Sequence, residues 1–289
     1  MAHLKSALVS LLLIFMIWWA PLAKAVATPA ASPTAERTIN LVAIGDSIPF
    51  ADFCTTCEHA FVDDYAMRLE DKYGLTVHVD NRSRNDSAKI DDIIVQLASE
   101  NSLRQQIRQA DIVLISIGFN NQPPFDSDQP CGGSPDVSIE EVIGQIAELT
   151  SSCMSDTIAQ FQNDYQFIFS EIAELAPDHA LLLSLSPYDS FNGWPGFKEI
   201  NDQDQVTAME TNISWWFHHW NPMECDAAQM NGFQCVDLYA VFNGPDGTEP
   251  AGDLLEPGDY THPSKAGNAT IADLLIAIPV TFLEPQGSV

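Results

Sequence analysis

The sequence predicts an α/β protein, a three-layer α/β/α sandwich whose central sheet has five parallel strands. Short apolar runs alternate five times with longer amphipathic stretches from residue 38 onward. The run at 111–117 is nearly all apolar, which is typical of a strand buried on both faces. No repeat or linker interrupts the alternation, so we predict a single domain over 38–289.

Each element is predicted from its own local pattern. The apolar runs predict strands at 38–45, 75–80, 111–117, 180–186 and 235–238. The amphipathic stretches predict helices at 58–73, 87–109, 138–176 (interrupted near 150–155), 202–220 and 263–278. Pro177 ends the third helix, and we place Pro263 at the first position of the last, where a missing N–H is tolerated. Long loops follow the third and fourth strands, at 119–137 and 187–200.

The N-terminal segment is predicted to serve export rather than the fold. Lys5 precedes an apolar stretch, and a small-x-small pattern of the kind that signal peptidase recognises ends at Ala25. The apolar stretch is shorter than the roughly 20 residues of a membrane span, which favours a cleaved signal over an anchor. We therefore expect a signal peptide at 1–25, a flexible leader at 26–37 and a secreted mature protein.

The charge of the chain excludes some classes of partner. The formal net charge is −28 and the pI is near 4.2, so the surface repels nucleic acid and anionic lipid. The hydrophobic fraction of 46% is that of a packed globular protein. We expect a monomer with no nucleic-acid partner and no stable membrane anchor. Solubility, an acidic or salty habitat and bound cations all remain open as causes of the acidity.

The six cysteines of an exported chain predict three disulfides. We favour nearest-neighbour pairing, which joins Cys54–Cys57, Cys131–Cys153 and Cys225–Cys235. The alternative is a zinc site that begins with Cys54, Cys57 and His59, but no second Cys-x-x-Cys or His-x-x-x-His completes it. We expect neither a metal nor an organic cofactor.

Polar residues follow several predicted strands at the edge where ligands of open parallel sheets bind. The segments are Gly45-Asp46-Ser47, the run 80–86, Gly118-Phe119-Asn120-Asn121, and Asp259-Tyr260-Thr261-His262 before the last helix. Taken singly, each has an ordinary explanation as a helix cap or a turn. Their order along the chain, each at the end of a strand or its connection, indicates a single site.

Over residues 38–278 the chain resembles the GDSL/SGNH hydrolase family of esterases and lipases. The resemblance implies a five-stranded sheet in the flavodoxin-like order 2-1-3-4-5. It also implies that Ser47 is the nucleophile, His262 the base and Asp259 the residue that orients the base. The Asn120 side chain and the backbone N–H of Ser47 would then hold the oxyanion.

Two positions depart from the family pattern. The second block usually supplies a backbone N–H from a glycine, whereas the run 81–87 has none. We expect Asp86 to take that place, with Asn85 as the alternative, since Asn and Asp tolerate unusual backbone dihedrals best. An Asp86 carboxylate would have to turn away from a developing negative charge. The third block ends in Asn121 where the family has aspartate.

The site residues predict a secreted serine ester hydrolase that works through an acyl-Ser47 intermediate. An imidazole has an ordinary pKa suited to a general base near neutrality, and an adjacent carboxylate holds its tautomer. A polysaccharide O-deacetylase of the same fold is one alternative. An inactive exported protein that binds carbohydrate or lipid is another, and a structural cell-surface protein is a third.

The sequence leaves the preferred ester open among small-molecule, lipid and carbohydrate esters. Phe119, Tyr188 and Trp194 are predicted to wall an acyl pocket or to stack on a sugar, although they would equally serve to pack the loops. The adjacent His218 and His219 suggest a metal site as an alternative. The apolar residues of that helix share one face, however, which leaves both histidines toward solvent or a cleft.

Overall fold

The computed structural model of this protein describes residues 37–50, 53–134 and 137–284. The expected signal peptide at 1–25 and the leader at 26–37 lie outside the described residues, apart from Arg37 at the end of the leader. Within the described ranges, no helix is both long and apolar enough to cross a membrane.

The sheet has five strands in the order β2-β1-β3-β4-β5, and every neighbouring pair is parallel. The strands are β1 (Thr38–Gly45), β2 (Thr76–Asn81), β3 (Ile112–Ser116), β4 (Leu181–Leu185) and β5 (Gln234–Val236). The predicted fold class, strand number and strand order are confirmed. The order reverses between β1 and β3, so their carboxyl ends leave a crevice between the loops that follow them.

Helices cover both faces of the sheet. They are α1 (Ser47–Phe50), α2 (Phe61–Tyr73), α3 (Ile90–Ser99), α4 (Asn101–Gln109), α5 (Ile139–Ala147), α6 (Ser151–Leu175), α7 (Gln203–Met230), α8 (Leu238–Phe242) and α9 (Lys265–Ala277). Short 3-10 turns lie at Phe119–Asn121, Pro195–Glu199 and Gly252–Leu254.

Two apolar cores result from the two-residue period of the strands. Val42 and Ile44 of β1 point into the core formed with α3 to α7. Leu41 and Ala43 point into the opposite core, which is formed with α2 and α9. Burying one valine, leucine or isoleucine side chain contributes about 1.5 to 3 kcal/mol, so a central strand with two buried faces stabilises both layers.

The structure corrects several predicted helix boundaries. The single helix expected at 87–109 divides at Glu100, whose backbone is extended with φ −92° and ψ 95°. The helix expected to stop at 220 continues to Met230 through Pro222, because buried residues of its next two turns keep it against the sheet. Pro263 is not the first helical residue. It precedes the N-cap Ser264, whose Oγ accepts from the N–H groups of Ala266 and Gly267.

All three disulfides are present with the pairing expected from their spacing. They join Cys54 to Cys57, Cys131 to Cys153 and Cys225 to Cys235. The zinc alternative at the first pair is wrong, because the two sulfurs that would bind the metal are bonded to each other.

The core formed with α3 to α7 contains a carboxyl group that no sequence pattern predicted. Glu224 of α7 is 1% exposed, and its Oε1 accepts from Ser184 Oγ of β4 at 3.0 Å. Removal from water raises the pKa of Glu224 to about 8, because burial disfavours the charged form. The folded protein therefore holds this proton at a pH where an unfolded chain has released it.

We predict that Glu224→Gln makes stability less dependent on pH. The contribution of Glu224 is fully present below its ordinary pKa of 4.5 and is lost as pH rises toward about 8. In that window the free energy of unfolding of the wild type should fall up to about 1.4 kcal/mol per pH unit more steeply than that of the variant. Urea unfolding from pH 4.5 to 8.5, beside the exposed control Glu174→Gln, measures the difference. Parallel curves for wild type and Glu224→Gln would contradict the assignment.

Candidate active site

The serine of the first motif lies at a sharp turn from strand to helix. Ser47 is the first residue of α1 and follows β1 by a single residue, so its hydroxyl stands at the carboxyl edge of the sheet. A Cβ at Gly45 would collide with the carbonyl oxygen of Ser116 in β3. Glycine therefore allows the two central strands to meet where the chain turns.

The imidazole of His262 joins this hydroxyl to a carboxylate. His262 Nε2 lies 2.9 Å from Ser47 Oγ, and His262 Nδ1 lies 2.6 Å from Asp259 Oδ2. The side chain of His262 is 13% exposed and that of Asp259 is 26% exposed. Hydrogen bonds at these distances fix the ring in the tautomer that can accept the serine proton, with Nδ1–H directed at the carboxylate.

The loop that carries His262 is held by its own backbone. The N–H of Glu256 donates to the carbonyl of His262 at 2.8 Å, and the carbonyl of Glu256 accepts from the N–H groups of Asp259 and Tyr260. Tyr260 has φ 57°, a left-handed conformation that costs a residue with a Cβ about 1 to 2 kcal/mol. The loop thus closes tightly enough to bring Asp259 onto His262.

A short disulfide-closed segment supports His262 from outside. The ring of Phe53 stacks on the imidazole with a centroid distance of 3.9 Å and an interplanar angle of 14°. Thr55 Oγ1 donates to Glu256 Oε1 at 2.5 Å, which ties the segment of Cys54 and Cys57 to the His262 loop. Sequence reasoning missed Phe53, and only its position next to Cys54 could have drawn attention to it.

Asp46, between the glycine and the serine of the motif, is a second residue whose role was missed. It is 1% exposed, and its carboxylate accepts from the N–H of Ile48 at 3.0 Å and from that of Phe119 at 3.3 Å. Burial raises the pKa of Asp46 to about 7, although these hydrogen bonds oppose the shift. The side chain joins the turn at Ser47 to the loop after β3.

The loop after β3 places Asn120 beside the second motif, the run 81–87 that corresponds to the second block of the family pattern. Asn120 is partly buried, and its Nδ2 donates to the carbonyl of Ala88 at 3.0 Å. A side-chain amide has two N–H bonds, so this contact orients Nδ2 and leaves one hydrogen for another acceptor.

The third motif, Gly118-Phe119-Asn120-Asn121, ends in asparagine where the family has aspartate, and the contacts of Asn121 explain this difference. Its Oδ1 accepts from the N–H of Ile90 at 2.9 Å, and its Nδ2 donates to Asp126 Oδ2 at 2.8 Å. Lys89 Nζ lies 2.8 Å from the other oxygen of Asp126, which is 3% exposed. An aspartate at position 121 has no N–H for Asp126, so the buried carboxylate favours an amide here.

The second motif runs beside β1 and then turns. The N–H of Arg84 donates to the carbonyl of Gly45 at 3.0 Å, which keeps the chain next to the serine turn. The Asp86 carboxylate is exposed and lies 2.9 Å from Arg84 Nε, and this partner lowers the pKa of Asp86. The negative charge that would disturb an oxyanion is thus directed at a guanidinium. Ser87 takes the left-handed conformation, with φ 59°.

The aromatic residues proposed from the sequence differ in accessibility. Tyr188 is 1% exposed, and its hydroxyl donates to the carbonyl of Thr261 at 2.7 Å. It therefore supports the His262 loop, as the packing alternative held, and presents no surface to solvent. Phe119 lies 5.8 Å from Tyr188 between ring centroids. Trp194 lines an open pocket of about 260 Å³ together with Tyr260.

The two neighbouring histidines of α7 are exposed. Nδ1 of His218 lies 2.7 Å from the carbonyl of Ser214, and Nδ1 of His219 lies 2.7 Å from that of Trp215. Each ring is thereby held against its own helix. Across the ranges that the structure describes, no three His, Cys, Asp or Glu side chains come together as a metal site.

Comparisons with known proteins identify the fold. Neither a family model nor a curated protein matches the sequence. A lipase from a goat rumen metagenome is 19% identical, with a TM-score of 0.60, over 85% of this chain and 100% of that one. A protein described as a GDSL-like lipase, from Parabacteroides merdae, is 15% identical, with a TM-score of 0.55 over 86% and 98% of the two chains. An acetyl xylan esterase from Geobacillus stearothermophilus is 16% identical, with a TM-score of 0.50 over 86% and 97%.

These similarities cover nearly the whole of each solved chain. The protein therefore has the fold of the GDSL/SGNH hydrolases, as its motifs implied. Identities of 15 to 19% establish the fold alone, so the chemistry must be argued from the site.

We predict that Asn121→Ala destabilises the protein by about 2 to 4 kcal/mol, because it leaves one oxygen of the buried Asp126 carboxylate and the buried N–H of Ile90 without their partners. Chemical denaturation measures the loss. The matched control is Asn163→Ala on the exposed side of α6, where the side chain bonds only its own helix. Equal stability of the two variants would contradict the role of Asn121.

Proposed function

We propose that the protein is a serine ester hydrolase that transfers an acyl group to Ser47 and then to water. The observation that carries the proposal is the unbroken hydrogen-bonded series from Asp259 through His262 to Ser47 at the carboxyl edge of the sheet. A hydroxyl is a weak nucleophile until a base removes its proton, and the series supplies that base in position.

The steps follow from these contacts. His262 Nε2 takes the proton of Ser47 as Oγ attacks the ester carbonyl carbon, and Asp259 stabilises the imidazolium that forms. The tetrahedral intermediate collapses when His262 returns the proton to the departing alcohol oxygen. Water then attacks the acyl-serine with His262 again as base, which releases the acid and restores Ser47. Each bond change is served by these groups and water, so the proposal includes no cofactor.

The developing negative oxygen needs donors, and we assign three. The first is the free N–H of Asn120 Nδ2, which its contact with Ala88 orients. The second is the backbone N–H of Ser47. The third is the backbone N–H of Asp86, with Asn85 as the alternative, on the turn that the Arg84 to Gly45 bond places next to β1. Donors held before the reaction lower the barrier without reorganisation.

The proposal extends to location and partners. The export pattern of the first 25 residues and the three disulfides support secretion. The large negative charge supports a monomer with no nucleic-acid partner and no stable membrane anchor. The assembled Ser47, His262 and Asp259 argue against the hypothesis of an inactive binding protein, because binding alone does not require that geometry.

The substrate is a carboxylic ester. Proteins with this fold include enzymes described as lipases and as an acetyl xylan esterase. A polysaccharide O-deacetylase would carry out the same reaction on the ester of a sugar hydroxyl. The pocket lined by Trp194 and Tyr260 favours this form of the activity.

We predict that the mature protein hydrolyses p-nitrophenyl acetate and butyrate and that Ser47→Ala abolishes turnover. Removing the nucleophile of such a site costs on the order of 10⁶ in kcat. Comparison with p-nitrophenyl palmitate ranks acyl chain lengths. The control is Ser99→Ala, an exposed serine whose hydroxyl bonds only the carbonyl of Val95 in α3. Ser47→Ala that retains activity, or a wild type inactive on every carboxylic ester tried, would refute the proposal.

We predict that Asn120→Asp lowers kcat about 10² to 10³-fold with little change in KM, because a carboxylate cannot donate to the oxyanion. The substitution preserves size and shape, so circular dichroism should stay near that of wild type, while loss of the donor to the carbonyl of Ala88 should lower the melting temperature. An unchanged kcat would remove Asn120 from the oxyanion site.

A further inference from the structure

A pocket of about 260 Å³ opens between two loops at the carboxyl edge of the sheet. One loop follows β4 and contributes Asn192 and Trp194, and the other leads to His262 and contributes Asp253 and Tyr260. A Cβ at Gly193 would lie 2.6 Å from Pro250, so glycine allows the two loops to meet and close one wall. We call this site the Trp194 pocket.

The Trp194 pocket lies on the side of His262. Tyr260 stands between Asp259 and His262 in the chain, and Leu255, another lining residue, forms a backbone bridge with Pro263. In the proposed reaction His262 must give its proton to the oxygen of the departing alcohol. The alcohol part of the ester therefore leaves next to the loop that lines this pocket.

The lining combines flat apolar faces with polar groups. Trp194 is half-buried and held edge-on against Phe197, with ring centroids 5.0 Å apart, while Tyr260 is 36% exposed. Asp253 and Asn192 add a carboxylate and an amide. Aromatic rings pack against the C–H face of a pyranose, and the polar groups bond its hydroxyls. Asn192 Nδ2 donates to the carbonyl of Gly247 at 3.1 Å, which orients the amide and leaves its oxygen to accept from a sugar hydroxyl.

We propose that the Trp194 pocket binds a sugar unit of the leaving alcohol, so that the substrate is an O-acylated neutral polysaccharide. This inference rests on the proposed ester hydrolysis and adds the class of alcohol. Trp194 and Tyr260 are the specificity-determining residues.

A second cavity supports an extended carbohydrate chain. It has a volume of about 400 Å³ and shares Asn192 with the Trp194 pocket. Phe191, Thr211 and Glu210 are among its lining residues. Successive sugar units can occupy the two cavities. Because Asp253 and Glu210 add negative charge to a chain of net charge −28, the sugars are neutral rather than anionic.

Binding tests the inference without catalysis. The probes are xylohexaose and mannohexaose, titrated calorimetrically into the full-length mature Ser47→Ala protein. At least one probe should bind, and adding Trp194→Ala should weaken that affinity at least ten-fold. The matched control adds Trp215→Ala, a half-buried tryptophan of α7 that stacks on His219, and should bind as Ser47→Ala does. Failure of both probes to bind, or equal binding after Trp194→Ala, overturns the inference.

Turnover supplies the second measurement. The ratio of kcat/KM on acetylated xylo-oligosaccharide to that on p-nitrophenyl acetate should fall at least ten-fold in Trp194→Ala and in Tyr260→Gly. Glycine also relieves the left-handed strain at position 260, and a ratio of two activities of the same sample does not depend on the fraction of enzyme that is folded. An unchanged ratio overturns the inference while wild-type hydrolysis of p-nitrophenyl acetate leaves the esterase proposal standing. Oligosaccharide binding without any hydrolysis would support the pocket and refute the esterase.

Discussion

The contact between Ser47 Oγ and His262 Nε2, 2.9 Å long, joins residues 215 positions apart and is the constraint around which the site is built. It requires β1 to end in a tight turn and the loop after β5 to return across the sheet. Gly45 permits the tight turn, since any side chain at that position would collide with Ser116. Glu256 holds the returning loop in place, since its backbone N–H and carbonyl form the hydrogen bonds that close the His262 loop. Parallel strands make such a contact possible because their carboxyl ends share one edge.

Buried carboxyl groups brace the loops around that contact. Asp46 joins the serine turn to the loop after β3, Asp126 holds Asn121, and Glu256 receives Thr55 from the disulfide-closed segment. Each group leaves water at a cost, which hydrogen bonds offset in part. The pKa of Asp46 is raised to about 7, because its hydrogen bonds do not fully offset the cost of burial. These hydrogen bonds thereby position loops that have no regular secondary structure.

The two departures from the family motifs have a local physical reason. Asn121 takes the place of an aspartate because Asp126 beneath it needs a donor and Lys89 already satisfies the other oxygen. In the second motif the left-handed residue is Ser87, and the neighbouring Asp86 is neutralised by Arg84. Both substitutions keep the hydrogen-bonded framework at this edge of the sheet.

The sequence by itself determined the α/β class, the parallel sheet with its strand order, the pairing of the cysteines and the residues that meet at Ser47. The class and the parallel sheet follow from the periodicity of the chain and the cysteine pairing from its spacing, whereas the strand order and the residues at Ser47 were implied by the resemblance of its motifs to those of the GDSL/SGNH hydrolases. Only the tertiary structure decided that Tyr188 is buried, that Phe53 stacks on His262, that the helix at 87–109 divides at Glu100, and that Trp194 faces a pocket. Each of these depends on contacts between segments far apart in the chain, and no local pattern encodes which distant side chain will lie opposite.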